Sequence, residues 1–313
     1  MITVIVTGGT GMIGTAIVNQ LLQSRYQVVV FTRKKALGGH IEGGLSYRYW
    51  NVDNGEIDRE TVLQADAIIH LAGAGVMDRR WSAKRKKEII DSRVQSGQLL
   101  VDTLRSGSNR LKVLVSASAT GWYGADPEVP NPHPFTEDQP AAPDFLGNCC
   151  REWEECTRVL TDAGIRVVHL RTGIVLGRGG GILLTLEQAF KWRLAAVPGN
   201  GRQMITWIHL GDLVNLYQAA IEQELYKGPI NAVAPHPVSN TQLVHALAKA
   251  KFGSAFITIH IPAIVLKGML GQRGNEALKS VTVSAGELLA CGFKFHYPDI
   301  DSAARALMTG SGF

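Results

Sequence analysis

The chain has 313 residues, of which 45% are hydrophobic and 19% are charged, and its formal net charge at pH 7 is +5. This composition is typical of a globular protein and excludes a fibrous or intrinsically disordered chain. The densest basic cluster, within residues 79–87, adjoins Glu88 and Asp91 and lacks any aromatic-rich nucleic-acid signature, which argues against a nucleic-acid partner. No run of about 18 apolar residues predicts a membrane span, so we expect no membrane partner either.

The cysteines argue for a reducing compartment. Cys149, Cys150, Cys156 and Cys291 follow no metal-ligand spacing and have no partner histidines, so we expect free thiols and no metal site. No basic leader followed by an apolar run precedes the first apolar segment, so the sequence predicts no secretory signal. These observations favour the cytoplasm.

The N-terminal segment combines a strand, a glycine-rich turn and a helix. A β-branched run at 2–6 predicts a buried strand, and apolar residues at helical spacing follow at 15–22. Between them, Gly8 permits a tight turn, Gly11 lets a pyrophosphate approach the backbone, and Gly14 lets the helix pack closely on the strand. The free amides of that helix would then face a phosphate. The alternative is a glycine-rich turn without a ligand.

The second strand indicates which cofactor is bound. It is predicted at 27–31 and runs into Arg33, at the distance from Gly14 expected for the residue that meets the adenosine ribose. An acidic residue here would accept hydrogen bonds from the 2′-hydroxyl of NAD, whereas an arginine accommodates the 2′-phosphate of NADP. No Asp or Glu occurs between 31 and 37. We therefore predict NADP(H), the alternative being a surface arginine that ends a strand.

Strands and helices alternate along the rest of the chain. Further strands are predicted at 45–50, 67–74, 111–115, 165–171 and 230–233, and helices at about 83–104, 148–160 and 241–250. This alternation predicts an α/β fold with a Rossmann-type, doubly wound parallel sheet. We expect a cofactor-binding domain of residues 1–175, re-entered by about 208–233, and a smaller C-terminal substrate lobe formed by 176–207 and 234–313.

Three hydroxyl side chains follow the fifth predicted strand. Ser118, Thr120 and Tyr123 are expected in the crevice at the carboxyl end of the sheet, where such folds bind ligands. The next segment, 125–143, is rich in proline and has no periodicity, which predicts a long surface loop.

Several motifs together resemble the extended short-chain dehydrogenases/reductases, the superfamily of nucleotide-sugar epimerases and dehydratases. They are the glycine turn, His70-Leu-Ala-Gly73, Ser118 followed by Tyr123-Gly124, and Trp207-Ile-His-Leu-Gly-Asp212. A narrower resemblance is to an atypical subgroup usually labelled "epimerase family protein" and, by an older label, cell-division inhibitor. Its motifs here are Arg80-Trp81, Ser92-Arg93, Leu170-Arg-Thr-Gly-Ile-Val-Leu176 and Gly292-Phe293.

The resemblance implies a set of cofactor-binding residues along the carboxyl edge of the sheet. Arg171 has a second interpretation, in which it pairs with a carboxylate inside the fold. The full set is Thr7, Gly8, Gly11, Met12, Ile13, Gly14, Thr32, Arg33, Lys34, Asp53, Leu71, Ala72, Gly73, Arg93, Arg171, Thr172 and Gly173.

The superfamily also implies a hydride passed to or from NAD(P), assisted by a Ser or Thr and a Tyr-x-x-x-Lys pair on a helix. That spacing puts the pair on one helix face, where the ammonium lowers the pKa of the phenol. Ser118 matches the helper hydroxyl, but the place expected for the pair holds Phe145 and Cys149, and no Tyr-x-x-x-Lys occurs between 124 and 170. The remaining catalytic candidates are Ser118, Thr120 and Tyr123.

Two functions therefore follow as hypotheses. The first is an NADP(H)-dependent oxidoreductase or epimerase-like enzyme of atypical mechanism, acting on a small, phosphorylated or nucleotide-linked molecule. The second is a non-catalytic NADP(H)-binding redox sensor or partner-binding regulator. A second copy of the chain, forming a homodimer, is a further candidate partner.

Overall fold

The computed structural model describes residues 2–35 and 41–310, in which a parallel sheet carries helices on both faces. The strands are β1 (Thr3–Thr7), β2 (Gln27–Thr32), β3 (Ile41–Glu42), β4 (Leu45–Tyr49), β5 (Ala67–His70), β6 (Val113–Ala119), β7 (Arg166–Thr172), β8 (Ile174–Leu176), β9 (Leu194–Pro198), β10 (Met204–Ile205), β11 (Trp207–His209), β12 (Gly228–Ala232), β13 (Val238–Ser239) and β14 (Ile257–Ile261). The helices are α1 (Met12–Gln23), α2 (Arg59–Gln64), α3 (Ala83–Arg105), α4 (Phe145–Arg158), α5 (Gly181–Phe190), α6 (Leu210–Glu222), α7 (Asn240–Phe252), α8 (Ala263–Leu270), α9 (Arg273–Ala277), α10 (Gly286–Ala290) and α11 (Ile300–Thr309).

The main sheet has the order β12-β7-β6-β5-β1-β2-β4, with every neighbouring pair parallel, and the two-residue β3 adds an antiparallel edge. Strand alternation assigns the side chains of β1 to two cores. Val4 and Val6 pack with Ile17 of α1, whereas Ile5 packs on the opposite face with Leu100 of α3. The prediction of a Rossmann-type, doubly wound parallel sheet is confirmed.

A second core lies beyond this sheet. It is formed by buried side chains of α5, β9, α7 and α11, with Phe190, Trp207 and Leu247 among them. Two short strand pairs flank it, β10 with β13 and β9 with β14, while β11 pairs with β8 in parallel. These residues come from 174–207 and 234–308. The exact division of the chain into two lobes stays a prediction.

The loop predicted at 125–143 forms no helix or strand, apart from an isolated bridge between Phe135 and Val283. Asp126 fastens it to the C-terminal segment, because its carboxylate accepts hydrogen bonds from the Ser280 hydroxyl (2.8 Å) and from the Thr282 amide (2.9 Å) and hydroxyl (2.8 Å). The loop therefore joins the main sheet to residues 280–284.

A second junction, the arginine clasp, connects the β5–α3 loop to α8 and α9. The Arg80 Nη2 donates to the main-chain oxygens of Gly268 (2.8 Å) and Met269 (2.9 Å) near the end of α8. In return, Arg273 donates to the main-chain oxygen of Met77. The clasp brings the C-terminal segment beside the carboxyl end of β5.

Candidate functional site

The turn between β1 and α1 depends on glycines at three positions. Gly8 adopts a positive φ of 69°. A Cβ built on Gly14 would lie 2.3 Å from the Gly8 oxygen, whereas one on Gly11 would meet its nearest neighbour at 3.5 Å. Gly11 is the N-cap of α1, no side chain caps this helix, and its first turn has no acidic residue. The positive end of α1 is therefore open to an anion.

The Thr7 hydroxyl is used inside the fold. Thr7 is fully buried, and its Oγ1 shares a hydrogen bond with His70 Nδ1 (2.8 Å) while accepting from the amides of Leu71 (3.1 Å) and Ala72 (3.3 Å). The side chain thereby fixes the loop after β5 against β1. The hydroxyl of Thr7 therefore positions the turn, and the contact of Thr7 with the cofactor stays a prediction.

The end of β2 presents two cations. Thr32 is buried, and its Oγ1 accepts the Lys34 amide hydrogen (3.1 Å), which shapes the bend that exposes Arg33 and Lys34. Within residues 2–35 and 41–310, Arg33 has no carboxylate partner. Asp53, predicted near the adenine, is exposed on the turn after β4, where its amide donates to Asn51 Oδ1 (3.1 Å).

A loop that sequence reasoning left without a role covers the first turn of α1. A Cβ on Gly180 would lie 2.5 Å from the Sδ of Met12, so the glycine cluster before α5 lies directly against this side chain. Met12 and Ile13 are both half-buried. The cluster Gly179-Gly180-Gly181 was visible in the sequence, but its contact across more than 160 residues carries no local signal.

The carboxyl end of β5 holds the next predicted residues. Leu71 and Ala72 are half-buried beside Gly8, and Gly73 is exposed. Behind Gly73 lies Arg93 of α3, which is buried and has its guanidinium 4.8 Å from the ring centroid of Trp153. The structure thus brings Gly73 and Arg93 into contact, and the sequence alone could not predict this contact.

A buried ionic network occupies the end of β6. The Ser118 hydroxyl donates to Glu154 Oε1 (2.7 Å), and Arg171 donates to both oxygens of the same carboxylate, through Nε (2.9 Å) and Nη2 (3.0 Å). Arg171 also donates to the Tyr123 hydroxyl (3.0 Å), which in turn donates to Asn231 Oδ1 (2.6 Å). Every one of these five residues is buried.

This network corrects the expected roles of three residues. Ser118 lies inside β6, which runs on to Ala119 because its ladder with β7 continues, and so the side chain points to α4 and is only 3% exposed. Burial raises the pKa of Tyr123 to about 12, which prevents the phenol from acting as a base near neutral pH. For Arg171, the alternative of a carboxylate partner is the one observed. Of the predicted catalytic hydroxyls, only Thr120 is half-buried rather than buried.

Two further predicted residues also serve the fold. The Thr172 hydroxyl donates to the main-chain oxygen of Leu170 (3.0 Å). A Cβ on Gly173 would lie 2.8 Å from the Thr206 oxygen, so this glycine permits β7 to approach the strand segment before β11. The Thr172 bond lies within β7, and Gly173 permits the contact with the neighbouring segment.

On α4, the two positions expected for the Tyr and Lys pair do not face the end of β6. Phe145 contacts Trp81 (ring centroids 4.9 Å apart), and Cys149 lies beside Arg93. The residues that face the end of β6 are Leu146 and Cys150, because Leu146 packs on Gly121 and the Cys150 thiol contacts the Ala119 oxygen (3.6 Å). Neither pair offers a phenol or an ammonium.

The buried acid–base groups near this edge do not titrate near neutral pH. Burial raises the pKa of the Cys150 thiol to about 12 and lowers the pKa of His70 and of His169 to about 4. Over the described residues, no group of three or more His, Cys, Asp or Glu side chains could hold a metal ion. Likewise, none of the helices described is long and apolar enough to span a membrane.

A groove of about 870 Å³ runs along the outer side of α4, on the face of β7 and β12. Of all the predicted site residues, only Arg171 lines it, and that guanidinium is already paired with Glu154. The groove therefore lies apart from the glycine turn and Arg33, and its size alone does not make it the cofactor site.

Comparison with known proteins agrees with this geometry. Residues 4–232 match the NAD dependent epimerase/dehydratase family, and residues 261–307 match a domain of unknown function, DUF1731. The epimerase family protein SDR39U1 homolog, chloroplastic, of Arabidopsis thaliana is 33% identical over 98% of this chain and 86% of its own length. Epimerase family protein SAR0825 of Staphylococcus aureus is 31% identical over 97% of this chain and 98% of its own length.

Solved structures give the same result. The crystal structure of human epimerase family protein SDR39U1 (isoform 2) with NADPH has a TM-score of 0.84 and 30% identity, covering 98% of this chain and 99% of that chain. UDP-N-acetylglucosamine 4-epimerase from Bacillus cereus, at 19% identity and a TM-score of 0.75, shares the fold. The resemblance to an atypical extended short-chain dehydrogenase/reductase is confirmed, and the chain belongs to the NAD dependent epimerase/dehydratase family.

Proposed function

We propose that this protein binds NADPH at the β1–α1 turn and acts on a small molecule as an oxidoreductase or epimerase-like enzyme of atypical mechanism. The observation that carries the proposal is the uncapped end of α1, framed by Gly8, Gly11 and Gly14. At the end of the neighbouring strand lies Arg33, which pairs with no carboxylate of the described residues. The NADPH in the crystal structure of the human relative supports the choice of cofactor.

The residues present fit this cofactor. The open amides of α1 suit its pyrophosphate, and the absent side chain at Gly11 leaves space for it. Arg33 and Lys34 offer positive charge to the 2′-phosphate, for which a guanidinium fork is well suited. The loop at Gly180, lying against Met12, would cover the bound pyrophosphate. When bound, the cofactor would supply or accept a hydride.

Few side chains of this protein could transfer a proton to or from the substrate. Ser118 is tied to Glu154, and Tyr123 keeps its proton because of its burial. Thr120, half-buried in the turn after β6, remains the hydroxyl we assign to the substrate. The Thr120 hydroxyl can donate a hydrogen bond to the substrate, but it is not a general base. We therefore expect either slow turnover or a reaction in which the proton is exchanged with solvent.

A second candidate function has a specific observation in its favour. Two of the candidate catalytic hydroxyls, Ser118 and Tyr123, are engaged in the Glu154–Arg171 network, and α4 presents Leu146 and Cys150 to the end of β6 instead of a Tyr and a Lys. A protein that binds NADP(H) without turnover would have this arrangement. It would act as a redox sensor by binding a partner with different affinity in its NADP⁺ and NADPH forms.

One experiment separates the two candidates. Purified protein is titrated with NADPH and NADH by fluorescence, and oxidation of bound NADPH is then followed against a panel of carbonyl compounds and nucleotide sugars. Tight binding with turnover supports the enzyme. Tight binding with no turnover, together with redox-dependent binding of a partner, supports the sensor, whereas absence of NADPH binding rejects both.

We expect Arg33→Asp to reverse or narrow the preference for NADPH over NADH. The substitution removes one charge-assisted contact to the 2′-phosphate, which is worth about 1.5–3 kcal/mol or roughly one to two decades in affinity. The two dissociation constants are measured by fluorescence titration. Arg25→Asp, at another exposed arginine with no role in the site, is the matched control. An unchanged NADPH/NADH ratio in Arg33→Asp would contradict the assignment.

The glycine turn offers a pair of substitutions with different expected results. Gly11→Ala should leave the fold intact, because its Cβ would make an ordinary 3.5 Å contact with the Gly8 oxygen. It should lower the affinity for NADPH by about tenfold or more, because the added methyl group would occupy the space of the pyrophosphate. Gly14→Ala should also destabilise the protein by about 1–3 kcal/mol, because its Cβ meets backbone at 2.3 Å. Denaturant unfolding and NADPH titration measure both effects. Normal NADPH affinity in Gly11→Ala would place the ligand elsewhere.

A further inference from the structure

The two-stranded parallel sheet of β9 and β14 packs on the fold with only one of its faces. Ala195 and Val197 of β9 are fully buried in the second core, and Thr258 of β14 shares a hydrogen bond with His245 of α7 (2.9 Å). Because side chains alternate along a strand, the residues between these point the other way, where parallel sheets are ordinarily covered as well. Within residues 2–35 and 41–310, this outward face belongs to no hydrophobic core, and its side chains are Leu194, Ala196, Pro198, Ile257, Ile259 and Ile261.

The helix α8 adds a second uncovered apolar element. It follows β14 after a single residue, Pro262, whose main-chain oxygen accepts from the Val265 amide (3.0 Å). The sequence of α8 is Ala-Ile-Val-Leu-Lys-Gly-Met-Leu, yet Leu266 is the only buried residue of this fully described helix, and Ile264 is 80% exposed. A helix that is apolar all round is ordinarily buried in a protein core or in a membrane. The helix therefore adds apolar surface that the described chain does not cover.

Trp192 extends this surface at the other end of β14. The Ile257 amide donates to the main-chain oxygen of Arg193 (2.9 Å), which places Trp192 near the start of β14, and the Trp192 side chain is 78% exposed. Half of the large apolar side chains that the described residues expose lie in this region. Such a group, with polar residues around it, marks a contact surface. We call it the apolar patch, and its members are Trp192, Ile257, Ile259, Ile264, Val265 and Met269.

The charged residues around the apolar patch are all positive. No Asp or Glu occurs in residues 188–211 or 225–275, which together contain the whole patch. Lys191 and Arg193 lie at one end of the patch and Lys267 lies on α8 at the other. None of these three cations forms an ion pair with a carboxylate of the described ranges. A second copy of the chain would bring like charges together here, whereas an anionic surface would complement them.

We propose that the apolar patch binds the surface of an anionic lipid bilayer. The apolar side chains would enter the headgroup region, and the surrounding cations would meet the lipid phosphates. Tryptophan is enriched at the interface between membrane and water, which agrees with the exposure of Trp192. A contact at the surface needs no membrane span, and no helix in the described part of the chain could form one. The proposal therefore departs from the expectation of no membrane partner, which depended only on the absence of a span.

Sedimentation of the full chain with lipid vesicles tests this contact. Vesicles of phosphatidylcholine alone are compared with vesicles of phosphatidylcholine and phosphatidylglycerol in equal parts. We expect the protein to sediment with the mixed vesicles and much less with phosphatidylcholine alone, because only the mixed vesicles carry negative charge. Added sodium chloride should weaken the binding, because it screens these charges.

An apolar substitution assigns the binding to the patch. Ile264→Ser should weaken binding to the mixed vesicles by about tenfold or more, because the variant loses the apolar area that isoleucine would bury in the lipid. The exposure of Ile264 means that the variant should fold like the wild type. Ile2→Ser, at an exposed isoleucine before β1, is the matched control and should bind like the wild type.

A charge substitution tests the cations in the same way. Lys267→Gln should weaken binding to the mixed vesicles by about fivefold, the effect of one cation near an anionic surface. Lys112→Gln, at an exposed lysine before β6, should leave the binding unchanged.

Three outcomes would overturn the proposal. They are no binding to the mixed vesicles, equal binding to both kinds of vesicle, and unchanged binding in Ile264→Ser. Light scattering of the same proteins tests the other occupant of the patch. A wild-type dimer that dissociates in Ile264→Ser, in the absence of vesicle binding, would assign the patch to a second copy of the chain.

Discussion

Glu154→Gln should destabilise the protein by about 3–5 kcal/mol, the usual effect of removing one member of a buried ion pair. Glu154 and Arg171 are both buried, and the carboxylate accepts from Arg171 at two oxygens and from Ser118. Glutamine keeps the shape but removes the charge and turns an N–H group toward the Arg171 donors. The free energy of unfolding, measured in urea or guanidinium chloride, reports the loss.

Glu155→Gln is the matched control on the same helix. Glu155 is exposed, and its contact with Arg151 is a surface pair at 3.5 Å, so we expect a change of about 0.5 kcal/mol or less. The double variant Glu154→Leu with Arg171→Met should recover much of the stability, because it removes both charges. A Glu154→Gln protein within about 1 kcal/mol of the wild type would show that the network is not a main source of stability.

Acidification from pH 7 to pH 5 should destabilise the ligand-free protein by about 2 kcal/mol for each of three buried histidines. Burial is the main reason that the pKa of His70, His169 and His209 falls to about 4. Their folded forms stay neutral where the unfolded chain, with a pKa near 6.5, already binds protons. Their contribution to stability is therefore present above pH 6.5 and is lost as the pH falls toward 4.

Neighbouring groups modify this effect without reversing it. At His70 a hydrogen bond with the main chain of Arg93 raises the pKa and the charge of Arg93 lowers it, and at His169 the Glu154 carboxylate raises the pKa while Arg171 lowers it. The measurement is the free energy of unfolding at pH 7, 6 and 5. His70→Asn should flatten this dependence by about one proton, and His133→Gln, at an exposed histidine, should not. Equal stability of the wild type at pH 7 and pH 5 would contradict the prediction.

The features that sequence predicted well are local or repeated ones. The strand β1, the glycine turn and α1 occupy contiguous residues, so the spacing of Gly8, Gly11 and Gly14 was sufficient to predict the β1–α1 turn. Alternating strands and helices were sufficient for a parallel sheet, because right-handed crossovers leave few other arrangements. Arg33 was placed by its distance from the glycines.

The features that sequence missed depend on distant residues. Glu154 lies 36 positions from Ser118, and no periodic pattern marks a buried carboxylate as the partner of a hydroxyl. Phe145 and Leu146 are separated by a rotation of about 100° on one helix, and hydrophobic spacing does not specify which of them faces the end of β6. The packing of Arg93 of α3 between Gly73 and Trp153 joins the loop after β5 to α4, and only the folded chain brings these segments into contact.

The arginine clasp has a consequence for how this chain can diverge. Arg80 and Arg273 donate to main-chain oxygens of Gly268, Met269 and Met77, which any residue type would supply. With respect to this junction, the exposed side chains of α8, such as Ile264 and Met269, are therefore free to change, whereas Leu266 is buried. The two arginines are not, because removing either guanidinium would leave these main-chain oxygens without their donors. Selection on this junction should act on the donors rather than on the side chains of the acceptor segment.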